Sequence, residues 1–167
     1  MSKLSVVVPL AVFSLVAACS PPAEAPVAPA EPAAAAPPAA PLPTADATAL
    51  RAILSPDETL SVVEFPREGS TTVTGEVKGY TSTVWAVPVA AGQTLTATFA
   101  PSNANLYINV IDAADTSGAA VHAGETAGAT ATVTAEKDAV YVIRPFQPRA
   151  MARRDETGDY SLTIARR

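Results

Sequence analysis

From Thr94 to Phe99 the chain alternates without a break, with Thr94, Thr96 and Thr98 on one side and Leu95, Ala97 and Phe99 on the other. A two-residue period marks a strand with one buried face and one wet face, and a helix cannot satisfy it. Shorter segments of the same kind recur: Val62 to Phe65, Thr72 to Lys78, Val84 to Val89, Leu106 to Ile111, Ala119 to His122, Ala129 to Thr134, Val140 to Arg144 and Tyr160 to Ile164. Turn residues separate them, as at Arg67-Glu68-Gly69-Ser70, Gly79 and Ala91-Gly92-Gln93. Short strands at this spacing predict an all-β fold, a single antiparallel β-sandwich of jelly-roll type with about eight strands. The segment from 62 to 167 holds one core and not two. Pro88 has no N–H to give, so it calls for an edge or an outward-facing nitrogen.

The residues before this domain are of another kind. Lys3 followed by the apolar run Leu4 to Ala18 reads as a signal peptide over residues 1–18, too short for a permanent membrane span. The run ends in Val16-Ala17-Ala18-Cys19, which resembles the bacterial lipobox, and this makes Cys19 the expected lipidation site. Cys19 is the single cysteine, so no disulfide supports the domain and its core must hold it alone. Residues 19–43 are almost wholly proline and alanine, a composition that favours polyproline II. As a stalk they reach at most ~75 Å. Residues 44–61 form a lead-in, with helical character from Thr44 to Leu54 and a cap at Thr44 or Asp46. The expected setting is the bacterial envelope, with a lipid anchor in the outer membrane facing the periplasm.

The formal charge is −5, yet the basic residues are not spread evenly. Of the ten Lys and Arg that remain once Lys3 is set aside, six lie in the last two dozen positions: Arg144, Arg149, Arg153, Arg154, Arg166 and Arg167. Clustered charge informs about partners rather than about fold. If Pro148 to Arg154 makes a helical turn, Arg149 and Arg153 share a face and repel unless an anion bridges them. They either pair locally with Asp155, Glu156 or Asp159, or face an acidic partner, since guanidinium makes planar bidentate contacts with carboxylate. Nucleic acid does not fit, because the domain is acidic and no stacking aromatics stand beside the arginines.

Catalytic chemistry finds no set of residues. His122 is the only histidine, and Asp112 and Asp115 beside Asn109 match no calcium loop, so neither a metal nor another cofactor is expected. Asp155 and Glu156 diverge in direction, their arginine neighbours favour the charged forms of both, and no nucleophile elbow is present. An enzyme is not expected. The run Ser102-Asn103-Ala104-Asn105-Leu106-Tyr107 reads equally as turn chemistry and as an amide-and-aromatic contact surface.

Two stretches together look familiar. Val63-Glu64-Phe65, Gly75-Glu76-Val77-Lys78-Gly79-Tyr80 and Ala91-Gly92-Gln93 resemble the first half of the bacterial periplasmic inhibitors of goose-type (g-type) lysozyme. Tyr141-x-x-Arg144, Arg149, Ala152-Arg153, Tyr160 and Ile164 are similar to that family's closing motif. The resemblance spans about Val62 to Ile164. More distantly, the chain is similar to prepeptidase C-terminal domains, which lack the arginine set. The first resemblance implies an eight-stranded sandwich whose loops at one end plug a lysozyme's substrate cleft, near the enzyme's essential acid. It implies partner-binding roles for Arg144, Arg149 and Arg153, with Tyr107, Ser102 and Asn103 beside them, and structural roles for Tyr141 and Tyr160. The loop from Asp112 to Thr126, the lipobox and the stalk depart from it. The competing expectation is a noncatalytic envelope module that binds peptidoglycan, another glycan or a partner protein.

Overall fold

The computed structural model describes residues 41–167. The expected signal peptide, Cys19 and the stalk as far as residue 40 lie outside the described residues.

Among the described residues, nine strands and three short helices follow in order. These are α1 (Ala47–Ala52), β1 (Glu58–Val62), β2 (Gly69–Lys78), β3 (Thr81–Val89), β4 (Thr94–Pro101), β5 (Tyr107–Asp112), β6 (Ala120–Ala123), α2 (Gly124–Ala127), β7 (Thr130–Thr134), β8 (Ala139–Phe146), α3 (Arg149–Ala152) and β9 (Thr157–Arg166). The strands run β6-β5-β8-β3-β2-β9-β4-β7, with β1 added against β3. β2 and β3 pair only at Val77–Ser82 and Lys78–Thr81, beside their turn, and then separate. That corner divides the ribbon into two packed layers, β6-β5-β8-β3 and β2-β9-β4-β7, in a nearly closed jelly-roll-like sheet. Every pairing is antiparallel except β1 with β3, which is parallel.

The expected alternation fills the core. Leu95, Ala97 and Phe99 from β4 meet Tyr160, Leu162 and Ile164 from β9, Ile108 and Val110 from β5, and Val87, Tyr141 and Ile143 from β3 and β8. Each fully buried aliphatic side chain in this layer contributes ~1.5–3 kcal/mol relative to exposure. Tyr160 is fixed as well as buried. Its hydroxyl accepts from Trp85 Nε1 at 2.9 Å, and its ring lies over Gly75, where a Cβ would stand 2.4 Å from the hydroxyl oxygen. Tyr160 and Tyr141 are both core residues, in keeping with the structural roles expected of them.

The sheet begins earlier than Val62. β1 starts at Glu58, and Val63 beyond it still donates to Ala86 O at 2.9 Å. Ahead of β1, Asp46 caps α1 by accepting from Thr48 N and Ala49 N, and Leu50 packs with Val84, Ala86 and Val142. The lead-in thus covers the outer side of β3 and β8, which explains why both strands carry apolar residues on both faces. Pro88 points the same way as Ala86, toward the side where β1 has already ended, so its missing N–H leaves no gap in the ladder.

Candidate functional site

The chain leaves β8 at Phe146 and crosses from one layer to the other to begin β9 at Thr157, with the expected helical turn between them. Pro148 starts the turn, and Arg153 N donates to Arg149 O at 3.0 Å, which places the two arginines four apart on one face. The turn stops in a Schellman arrangement, with Glu156 N donating to Met151 O and Asp155 N to Ala152 O. Asp155 takes the left-handed conformation there, at φ 56, a position that aspartate tolerates better than most residues.

A second turn supports this one from below. Gly79 and Tyr80 form the two-residue loop between β2 and β3, with Gly79 at φ 57 as such hairpins demand. Gly79 N donates to Glu156 O at 3.0 Å. Buried Gln147 donates from Nε2 to Gly79 O at 3.0 Å and to Glu156 O at 2.8 Å. A Cβ on Gly79 would stand 2.7 Å from Asp155 Oδ1 and 3.4 Å from Ala152 O, so the two turns touch. Tyr80 projects from the tip, 54% exposed.

The loop between β4 and β5 joins the same end. Ser102 N donates to Asp159 O at 2.8 Å, and Ser102 Oγ accepts from Asp159 N at 3.0 Å. Asn103 Oδ1 accepts from Asn105 N, and a Cβ on Gly158 would meet Asn103 Nδ2 at 2.5 Å. Both polar side chains are therefore used in holding the loop against the start of β9. Tyr107 opens β5 opposite Phe146, their ring centroids 5.9 Å apart.

The cations at this end differ in what surrounds them. Lys78 Nζ lies 3.8 Å from Asp155 Oδ2, and Arg154 lies 2.6 Å from Glu156 Oε1, both as exposed pairs. Arg149 and Arg153 are exposed, and no hydrogen bond or ion pair engages their side chains among the described residues. Two like charges held at this spacing disfavour each other by a few tenths of a kcal/mol, a cost that a bridging carboxylate removes.

Arg144 is not part of this group. It sits on β8 opposite Asn109, back from the strand end, and faces the lead-in. Its Nε is 2.8 Å from Glu58 Oε1, close enough to pair charges though off the line of a hydrogen bond. Its terminal nitrogen donates to Ile53 O at 3.0 Å. The Glu58 side chain is only 7% exposed, and its carboxylate is held by Arg144 on Oε1 and by the Ser55 amide, which donates to Oε2 at 2.8 Å. Nor do the six C-terminal arginines form one cluster. β9 carries Arg166 and Arg167 the length of the sandwich to its other end, where Arg166 turns inward and is 1% exposed. Its guanidinium donates to the carbonyls of Pro88, Phe65 and Pro66 and lies 3.9 Å over the Phe65 ring. Burial, with Arg67 adding to it, lowers its pKa.

Strand patterning does not single out Tyr80 as a surface residue, yet an aromatic at the tip of a glycine hairpin has no core to enter. Among the described residues, no group of His, Cys, Asp and Glu is placed to hold a metal ion.

No family model and no curated protein matches the sequence significantly. Solved structures do. The chain is similar to the crystal structure of Aeromonas hydrophila PliG, a periplasmic lysozyme inhibitor of g-type lysozyme. Identity is 25%, the TM-score is 0.59, and the match covers 66% of this chain and 98% of that one. PliG from Salmonella Typhimurium and a mutant of PliG from Escherichia coli match at 21% identity with TM-scores of 0.49, covering 65% and 66% of this chain and 98% of theirs. In its fold, this chain is similar to the periplasmic inhibitor of g-type lysozyme from Aeromonas hydrophila.

Proposed function

We propose that the domain inhibits a lysozyme, of goose type or a related type, by inserting the end that carries Arg149 and Arg153 into the enzyme's substrate cleft. One observation carries this reading: two guanidiniums stand exposed on a single turn, unengaged among the described residues, where Tyr80, Tyr107 and the Ser102–Asn103 loop also gather. A glycosidase cleft presents carboxylates, and the planar fork of arginine is suited to them. Ser102 and Asn103 contribute by shaping the loop, and Tyr80 and Tyr107 offer aromatic surface of the kind that anchors interfaces. Arg144 supports the scaffold instead.

The chain acts in the cell envelope. Cys19 carries the lipid, the proline- and alanine-rich segment holds the domain off the membrane, and the outer membrane is the anchoring site. Purified chain titrated against goose-, chicken- and invertebrate-type lysozymes gives stoichiometric inhibition of at least one of them, lost on Arg149→Ala/Arg153→Ala. If no lysozyme is inhibited and the chain instead sediments with peptidoglycan, the glycan-binding envelope module replaces this reading.

A further inference from the structure

The described chain enters the sandwich far from the arginine turn. Leu42, Pro43, Thr44 and Ala45 border one hollow together with Val62 to Phe65, Pro88 and Arg166. Pro43 and Thr44 also border another with Asp138 to Val140. These neighbours mark one end of the molecule, where β3 and β9 finish and β8 begins. The arginine turn, the Gly79–Tyr80 loop and Ser102 lie where β3 and β9 begin and β8 finishes. β9 joins the two ends with ten residues, roughly 30 Å at the rise of a strand.

From this we infer a polarity: the domain is attached at one end and recognises its partner at the other, so a chain fixed through its N-terminal side presents Arg149 and Arg153 away from the attachment surface. This rests on the inhibitor reading and adds the direction of approach. The partner is a folded protein whose acidic cleft is reached from the side opposite the anchor. An interface of standard size takes ~800 Å² from each partner. A footprint of that size around the arginine turn fits on the far end without reaching Thr44. α1 packs on the outer side of β3 and β8, and β1 runs beside β3 from the level of Ser82, so both flank this end.

The single cysteine makes the polarity measurable. In a Cys19→Ser background, exposed Thr44 or Lys78 is changed to cysteine and coupled to a solid support without a spacer, so that each position becomes the only attachment point. Both variants are first assayed free in solution. Inhibition there, followed by near-full lysozyme binding when fixed through Thr44→Cys and a loss of about tenfold or more when fixed through Lys78→Cys, is the expected result. Loss through Thr44→Cys, or equal binding through both points, overturns the polarity. Failure of both free variants, with the Cys19→Ser parent also inactive, rejects the inhibitor reading itself.

Discussion

Arg144, Arg149 and Arg153 enter the sequence as one motif and leave the fold with different duties. The difference is what lies within reach of each guanidinium. Arg144 has Glu58, whose carboxylate is nearly enclosed, and the Ile53 carbonyl. Removing Arg144 leaves that carboxylate without its countercharge, and breaking such a pair costs about 3 kcal/mol, less here because Arg144 is partly wet and the Ser55 amide still donates to Glu58. Arg144→Ala therefore lowers the urea midpoint while the folded fraction inhibits as before. Arg149 and Arg153 touch nothing that needs them among the described residues, so alanine at either position leaves the melting temperature unchanged. Each weakens inhibition about tenfold, in line with ~1–2 kcal/mol for an arginine anchor truncated at an interface. A melting temperature that falls in these two variants, or full inhibition by the double variant, contradicts the assignment. Residue identity alone could not separate the three, because Glu58 lies far back in sequence and only the parallel strand brings it to Arg144.

At the scale of elements, the arginine turn is as firm as the hairpin it rests on. Gln147 ties the two together through the Gly79 and Glu156 carbonyls. Gln147→Ala takes the side-chain donor from the buried Gly79 carbonyl and leaves Glu156 O with the Gly79 amide alone, at about 1–3 kcal/mol. The variant still folds, but hydrogen exchange at the Gly79 amide speeds up and inhibition falls although no partner-facing group has changed. An unchanged inhibition constant alongside faster exchange would show that the turn needs no such support. The lead-in makes a contrasting prediction. Leu50→Ala empties the contact with Val84, Ala86 and Val142, costs about 2–3 kcal/mol, and leaves inhibition by folded protein intact. Elements of this kind were unevenly legible. β4 and β9 show a period of two because one face is wet. α1 showed its cap, and the turn at Arg149 showed its proline. The pattern predicts a strand from Val62, whereas β1 starts at Glu58: its parallel partner is reached without a hairpin, so no turn signal marks it. Leu50, packed on Val84, Ala86 and Val142, is why the outer face of β3 is apolar where a period of two would leave it wet. α2, a single turn from Gly124 to Ala127, lies in the glycine- and alanine-rich stretch where neither period shows.

On the scale of the whole molecule, one core holds both sheets, and two of its residues ionise. Tyr160 is held above the ordinary tyrosine pKa by burial, an effect that its bond from Trp85 partly offsets. Tyr141 is raised by burial first and then by Asp112 and Glu136. The sign follows from proton binding. Below about pH 10 both tyrosines are protonated in the folded and unfolded chain alike, and stability does not depend on them. Above that value the unfolded chain releases these protons first, while the folded core retains its own. Stability therefore falls as pH rises from the unfolded value through the folded one, and it is regained on return. Because a single core unfolds cooperatively, the loss shows in the global transition rather than in a local one. Urea midpoints are expected to stay level toward pH 9 and to drop beyond about pH 10. Tyr160→Phe lowers the neutral plateau by about 1 kcal/mol, through the lost bond to Trp85, and makes the alkaline drop shallower. A drop as steep as that of the unaltered chain would place the titrating group elsewhere, with Tyr141→Phe as the variant that then separates the two core tyrosines.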